Sequence, residues 1–177
     1  MLDRIKQYAP HAIAVFAALV FLDSLRFKFT NAPETQQIFG LLNNWAASLG
    51  AEGLFAQTGL FSQYVIGSAE LLASTLLVVG IVPAFRRLQA VGALIALAVM
   101  SGAVSFHLFT PLGIDPNNDG GGLFAAAVTI WVTSIFLIFI RRHELAAIGR
   151  GLVATFFPTR EQREAEAGPA ALASLGA

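Results

Sequence analysis

The sequence predicts an all-α membrane protein, a bundle of four transmembrane helices with further helices lying at the membrane surface. Two observations support this prediction. Of the 177 residues, 56% are hydrophobic and only 12% are charged, whereas soluble domains carry roughly 25% charged residues. The chain also contains four separate apolar runs, at about residues 10–28, 62–82, 90–109 and 123–140. A run of about 20 apolar residues is long enough to cross the hydrocarbon core as a helix.

The composition also argues against some kinds of partner and of chemical site. The net charge is zero, with 11 basic and 11 acidic residues, so no basic excess points toward nucleic acid as a partner. Cysteine is absent, which excludes disulfides, thiolate metal ligands and thiol catalysis. Because short connections join the four runs, we expect one domain over residues 1–157, with the lipid bilayer as its surroundings.

The first apolar run follows a short polar start that contains Arg4 and Lys6. A basic start before an apolar run is also the pattern of a signal peptide. However, no small-x-small cleavage motif follows this run, which ends instead in Asp23, Arg26 and Lys28. We therefore expect an uncleaved first span.

Two further segments have the periodicity of amphipathic helices. After the first span, Asn31 is a suitable helix cap and Pro33 suits a first helical turn. Apolar residues then follow on one helical face: Ile38, Leu41, Leu42, Trp45 and Leu49. A second such face follows the fourth span: Leu145, Ile148, Leu152 and Phe156. We predict an interfacial helix at each place and a flexible cytoplasmic tail over residues 158–177.

The orientation of the four spans follows from their basic residues. With four spans, both termini and the turn between the second and third spans share one side of the membrane. That side holds nine basic residues: Arg4, Lys6, Arg86, Arg87, Arg141, Arg142, Arg150, Arg160 and Arg163. The other side holds only Arg26 and Lys28. The positive-inside rule therefore predicts that both termini are cytoplasmic.

Glu70 lies near the middle of the second apolar run. A carboxylate at that depth is costly and normally faces protein or a water-filled cavity, where it has a partner. The cations within reach lie at the end of the first span, so we predict a Glu70–Arg26 or Glu70–Lys28 pair near the outer surface. Asp23 shares a helical face with Arg26 and is predicted to be a structural polar residue. The pair would line a ligand pocket or would only fix helix packing, and the residues leave both interpretations open.

His107 lies one turn from the outer end of the third span. A histidine there can relay protons, bind metal or contact a quinone carbonyl, or it can simply hydrogen-bond at the helix end. His11 and His143 belong near the opposite face, so no site with several histidines can form. A set of His107, Glu70 and Asp115 is the remaining metal alternative, and we predict no metal site. Ser105, in the same span, is predicted to be a structural polar residue that stabilises helix packing.

The loop before the fourth span contains Asp115 and Asp119 among proline, asparagine and glycine residues. It lacks the alternating ligands and the closing glutamate of an EF-hand. Both aspartates are therefore predicted to be structural, in an Asx-rich turn that caps the fourth span. The glycines at 120–122 follow no predicted strand and precede no lysine, so they predict no nucleotide site.

The order of these features resembles the DoxX-like family of four-helix inner-membrane proteins. Lys28 ends the first span, Glu70 lies in the second, and arginines follow it. Three short motifs are nearest to the branch that contains the reactive-chlorine-resistance protein C: Lys28-Phe29-Thr30, Gly67-x-x-Glu70 and Ser105-Phe106-x-x-x-Thr110-Pro111. The resemblance covers about residues 10–142. It implies a bacterial inner-membrane location, a link to oxidative stress or to quinone-linked oxidoreductases, and a buried polar pair made by Lys28 and Glu70.

These observations support two functional hypotheses. In the first, the chain is a redox-associated membrane subunit in which Glu70, Arg26, Lys28 and His107 surround an outward-facing pocket for a quinone or a similar hydrophobic molecule. In the second, it is a non-catalytic accessory subunit that packs beside other membrane subunits or further copies of itself. Small residues at Ala14/Ala18 and Gly92/Ala96 would provide close helix contacts for the second hypothesis. A transporter is a third alternative, but no inverted repeat or broken-helix pair is visible.

Overall fold

The computed structural model describes residues 2–157, and side chains from residue 7 onward. The tail predicted over residues 158–177 lies outside the described residues. The described part is all-helical, without strands, and the predicted four long helices and two amphipathic helices are all present. In chain order these are α1 (Leu2–Phe29), α2 (Pro33–Ser48), α3 (Gln63–Val79), α4 (Arg86–Phe109), α5 (Gly122–Ile140) and α6 (Arg142–Phe156), with a 3₁₀ turn at Pro83–Phe85.

Two of the described helical stretches, Pro83–Phe109 and Gly122–Ile140, are long and apolar enough to cross a membrane. The apolar helix Gln63–Val79 is shorter, with 17 residues. Helix α4 begins at Arg86 rather than at residue 90, because the segment after Pro83 continues from the 3₁₀ turn directly into the helix.

The four long helices form a ring in which α1 packs against α3, α3 against α4, α4 against α5, and α5 against α1. Consecutive members of the ring are antiparallel. Gln63 at the start of α3 donates a hydrogen bond of 2.8 Å to the carbonyl of Lys28 at the end of α1. At the other end of the bundle, the backbone at Gly80 lies against Gln89 of α4. We refer to the end with Lys28 and Gln63 as the upper end and to the end with Gln89 as the lower end.

Small residues allow these helices to approach one another closely. Ala14, Ala18 and Ala96 are almost completely buried, and Gly92 is in contact with the backbone of α3. These are the positions that the second functional hypothesis uses for contacts with another subunit. That assignment is wrong, because they pack inside this chain's own bundle.

The lower end contains a buried polar contact that is not evident from the sequence. The Nε atom of Arg141 donates to Oε1 of Gln89 at 2.8 Å, and Gln89 is fully buried. Burial lowers the pKa of Arg141, while the carboxylate of Glu144, at 3.5 Å, opposes this shift. Arg141 thus links the end of α5 to the start of α4.

Helix α2 covers the upper end of the bundle. Its residues Leu42 and Ala46 pack with Phe55 and Leu112 from the two upper loops. Pro33 is the first residue of the helix, as predicted, but Ala32 and not Asn31 is the N-cap. Ile38 and Trp45 pack against this cluster. The predicted apolar face is only partly correct, because Leu41 and Leu49 are exposed: the buried face is centred on Leu42.

The contact between α3 and α4 can be tested by adding one methyl group. In Gly92→Ala the new Cβ would lie 2.9 Å from the backbone nitrogen of Leu77, which is too close to accommodate without a backbone shift. We expect a loss of about 1–3 kcal/mol of stability, seen as a lower midpoint of thermal unfolding in detergent. Gly102→Ala on the same helix is the matched control, because its Cβ would have ordinary contact at 3.8 Å. Equal midpoints for the two variants would contradict the close contact.

Candidate functional site

The upper half of the bundle encloses a cavity of about 750 Å³. Its walls come from α1, α2, α3, α4 and α5, and from the loops before α3 and before α5. Most of the lining is apolar, including Phe21, Ile38, Met100 and Ile130. Ligand pockets in proteins are commonly of this size and have mainly apolar walls with few polar groups, so the cavity is the candidate site.

The main polar feature of the cavity wall is an ion pair between Lys28 and Glu70. The Nζ atom of Lys28 lies 3.1 Å from Oε1 and 3.0 Å from Oε2 of Glu70, and it also donates to Oγ of Ser24. The side chain of Lys28 is 14% exposed and that of Glu70 only 4%. The pair predicted from the sequence is therefore present, and Lys28 rather than Arg26 is the partner of Glu70.

Helical geometry explains why Arg26 does not join the site. Successive residues of an α-helix are about 100° apart, so Arg26 and Lys28 face nearly opposite directions. Arg26 instead pairs with Asp23 at 2.9 Å, and both side chains are more than 60% exposed. The guanidinium group also lies 4.5 Å from the centre of the Phe27 ring. Arg26 is not among the residues that line the cavity, although Asp23 lies at its edge.

A network of amides holds the end of α1 against the start of α3. Asn31 has a positive φ of 58°, and its Oδ1 atom accepts hydrogen bonds from Gln36, Gln57 and Gln63. Gln36 also donates to Oε1 of Gln63 at 2.6 Å. This network fixes the turn that follows Lys28. The sequence did not predict this network; the one available signal was a glutamine, Gln63, at the start of an apolar run.

His107 lines the same cavity and is buried. Its Nδ1 atom is 2.6 Å from the carbonyl oxygen of Gly113. Because a carbonyl only accepts, Nδ1 must carry the hydrogen. The ring also makes an edge contact with Phe124, with centroids 5.4 Å apart. His107 is thus hydrogen-bonded at a helix end, as one of the two interpretations predicts, while it also forms part of the cavity wall.

The loop before α5 is the Asx-rich cap that the sequence predicts. Oδ2 of Asp119 accepts from the backbone nitrogen of Leu123 at 2.8 Å, and Oδ1 accepts from that of Gly121 at 3.0 Å. These bonds, the one from Leu123 above all, lower the pKa of Asp119. Asp115 accepts from the backbone of Asp119 at 2.7 Å. Asp119 therefore stabilises the start of α5 at the edge of the cavity.

Two other polar residues, Ser105 and Asn117, differ in their position relative to the cavity. Ser105 is exposed on α4 and does not line the cavity, so the predicted helix contact is not made. Asn117 does line the cavity, and its Oδ1 atom is buried without a hydrogen-bond partner among the described residues. Within residues 2–157, no group of three His, Asp or Glu side chains is arranged to hold a metal ion.

Comparison of the chain with models of protein families, with curated proteins and with solved structures finds no match.

Removing one partner of the buried pair should lower the stability of the protein far more than removing an exposed cation nearby. We expect Lys28→Met to lose about 3 kcal/mol of stability, because Glu70 is left buried without its counter-charge. Arg26→Met should change stability by less than about 0.5 kcal/mol, since exposed pairs contribute little. Chemical unfolding in detergent measures both. The double variant Lys28→Met/Glu70→Gln should recover much of the loss, and a double variant no more stable than Lys28→Met would contradict this account.

The Asp119 cap should contribute stability that depends on pH. Because the folded-state pKa is lowered, this contribution is present above the unfolded-state pKa of about 3.9 and is lost as the pH falls through the folded-state value. At neutral pH we expect Asp119→Ala to lose about 1 kcal/mol, measured by thermal unfolding. The difference from the unmodified protein should shrink toward pH 3. Glu52→Ala, on an exposed loop position, is the control, and a loss independent of pH would contradict the role of the carboxylate.

Proposed function

We propose that the chain is a DoxX-like integral membrane protein, a small redox-associated subunit whose cavity binds a quinone or a similar hydrophobic molecule. The observation that carries this proposal is the cavity itself, which combines apolar walls with a buried Lys28–Glu70 pair and His107. A quinone needs apolar surface for its ring and tail and a few polar groups at its oxygen atoms. Buried acids and histidines can also accept and donate the protons that are transferred when a quinone is reduced.

Four membrane spans are part of this proposal. Helices α1 and α3 expose large apolar residues along their outer faces, including Phe16, Leu19, Leu22, Leu71 and Leu72. Soluble monomers rarely expose contiguous apolar surfaces larger than a few hundred Å², so lipid is the favoured surrounding for these faces. Helix α3 has 17 residues, or about 25 Å at 1.5 Å per residue. It approaches the hydrocarbon thickness of about 30 Å, to which a bilayer can adapt.

The proposed orientation puts the cavity near the outer surface of a bacterial inner membrane. Arg86, Arg87, Arg141 and Arg142 lie at or next to the lower end of the bundle. Among the described residues, Arg26 and Lys28 are the arginine and the lysine at the upper end. By the positive-inside rule the lower end and both termini are cytoplasmic. The cavity, in the upper half of the bundle, is then near the periplasmic side, and we propose that its ligand is exchanged on that side.

The alternative is an accessory subunit without a ligand, in which the Lys28–Glu70 pair fixes the register of α1 and α3. Buried ion pairs serve this purpose in some proteins. The small residues that suggested a partner surface are used inside the bundle, so they do not favour this alternative. An ion pair that only fixes the packing of α1 against α3 does not require a cavity of about 750 Å³ beside it.

The proposal can be tested by purifying the full chain in mild detergent and identifying bound lipophilic molecules and co-eluting proteins by mass spectrometry. We expect a quinone or related molecule near one per chain, reduced several-fold in Glu70→Gln. Glu52→Gln is the matched control, because it makes the same chemical change at an exposed loop position. A stoichiometric partner protein with no small molecule would overturn the pocket and favour the accessory subunit.

A further inference from the structure

The charges on the cavity wall do not balance. Apart from His107, the ionisable side chains that line the cavity are Asp23, Lys28, Glu34, Glu70 and Asp119. Lys28 pairs with Glu70, and Asp23 pairs with Arg26, which lies outside the lining. Glu34 and Asp119 form no ion pair within the part of the chain that the structure describes. The wall therefore carries negative charge without a counter-charge from residues 7–157.

The two unpaired carboxylates lie at one edge of the cavity, which we call the acidic edge. Glu34 is in the first turn of α2 and Asp119 is in the loop before α5. Both residues are exposed although they line the cavity. Gln37, one turn after Glu34, donates to the carbonyl oxygen of Pro116, so α2 and this loop are in contact. The start of each helix favours a negative charge nearby but does not supply a cation.

A buried hydroxyl group next to the acidic edge has no partner. Thr35 follows Glu34 in the chain and is only 5% exposed. It is on the buried face of α2 with Leu42 and Ala46, and it lines the cavity. Its hydroxyl makes no hydrogen bond to any other described residue. Because a buried polar group without a partner costs free energy, a polar ligand atom bonded to Thr35 would recover that cost.

These features favour a cationic head group over an anionic one. The three hydrogens of the Lys28 ammonium group are directed to Ser24 and Glu70, so Lys28 has no hydrogen left for an anionic ligand. An ammonium group on a ligand has three N–H donors, and carboxylate and hydroxyl oxygens accept them. Because the acidic edge is exposed, the ligand's ammonium group keeps part of its hydration and avoids the cost of full burial.

The charge of the upper end as a whole acts in the same direction. Glu52 and Asp115 lie on exposed loop positions at that end and add further negative charge. The arginines at positions 86, 87, 141 and 142 lie at or next to the lower end. A surface with one sign of charge raises the local concentration of oppositely charged molecules, so the upper end attracts cations toward the cavity.

We propose that the cavity binds hydrophobic primary amines as a second class of ligand, with the ammonium group at the acidic edge and the apolar group inside the bundle. The ammonium group donates to the carboxylates of Glu34 and Asp119 and to Oγ1 of Thr35. The apolar group lies against the walls toward Met100 and Ile130. This inference goes beyond the binding of quinones and rests on the proposed ligand-binding cavity, so the two classes compete for the same space.

A matched pair of probes tests the preference for a cation. 4-Hexylbenzylamine and 4-hexylbenzyl alcohol have the same ring and tail, and differ in having an ammonium or a hydroxyl head group. We measure both by calorimetry on the full chain in an uncharged detergent, with empty micelles as the blank. Each exposed ion pair contributes at most several-fold in affinity, so we expect the amine to bind about tenfold more tightly at low salt.

The salt dependence of the same measurement tests whether the preference is electrostatic. Between about 10 mM and about 1 M salt, the Debye length falls from about 30 Å to about 3 Å. The affinity for the amine should therefore fall several-fold over this range, while the affinity for the alcohol should not fall. An amine affinity that does not change with salt would contradict binding at an exposed acidic edge.

Variants locate the head group. In Glu34→Gln/Asp119→Asn the ratio of amine to alcohol affinity should fall toward one, with the alcohol affinity retained, which also shows that the variant is folded. Glu52→Gln is the matched control, because it removes a negative charge from the same end at a position outside the cavity lining, and it should keep most of the ratio. Thr35→Val removes only the hydroxyl group and should weaken both probes several-fold, because the hydroxyl can bond to either head group.

The outcomes separate this inference from the proposed function. Equal affinities for amine and alcohol, or a ratio unchanged in Glu34→Gln/Asp119→Asn, would overturn amine binding at the acidic edge and leave the cavity in place. No saturable binding of either probe or of a decyl-substituted benzoquinone would overturn the ligand-binding function itself. Phosphatidylethanolamine also has an ammonium group, but its phosphate would lie near the acidic edge, so we expect it not to displace the amine. Displacement would overturn the preference for a simple amine over an aminolipid.

Discussion

The ion pair between Lys28 and Glu70 is the interaction on which the arrangement of the upper bundle depends. Both groups are largely removed from solvent, and the cost of burying each charge is offset only when the other is in contact with it. That requirement fixes the rotation of α1. Ser24 lies one turn before Lys28 and contacts the same ammonium group, so this face of α1 must point at α3. Asp23 and Arg26 are then directed outward, where they pair with each other.

The two halves of the bundle differ because their side chains differ in size. In the lower half, Ala73, Ala93 and Ala96 are fully buried and Gly92 lies against the backbone of α3, so the helices pack closely. In the upper half, the buried Lys28–Glu70 pair and larger apolar side chains such as Phe21 line the cavity instead. Helix α2 and the two upper loops cover the resulting space through the cluster of Leu42, Ala46, Phe55 and Leu112. The cavity is thus a consequence of unequal packing along one bundle.

The sequence could predict those parts of the structure in which any other arrangement would cost much free energy. Apolar runs specify the long helices, and a carboxylate among apolar residues requires a partner, so Glu70 and a cation at the end of α1 could be named. The choice of Lys28 over Arg26 depends on how α1 is rotated, which only tertiary contacts determine. The Asn31 network and the bond from His107 to Gly113 depend on loop conformation. Small residues at helical spacing showed that helices approach closely, but not that both helices belong to the same chain.

The depth of the polar groups also determines how an amphiphilic ligand would be oriented. Glu70 is seven residues into α3 from Gln63, or about 10 Å below the upper end, and the long side chain of Lys28 reaches down to it from the last turn of α1. His107 lies in the last turn of α4, while Met100 is two turns deeper on the same helix. A polar head would therefore lie toward the upper end and an apolar tail toward the middle of the bundle. In the proposed four-span arrangement, lipids of the outer leaflet have the same orientation, with their polar heads toward the upper end and their tails toward the middle of the bundle.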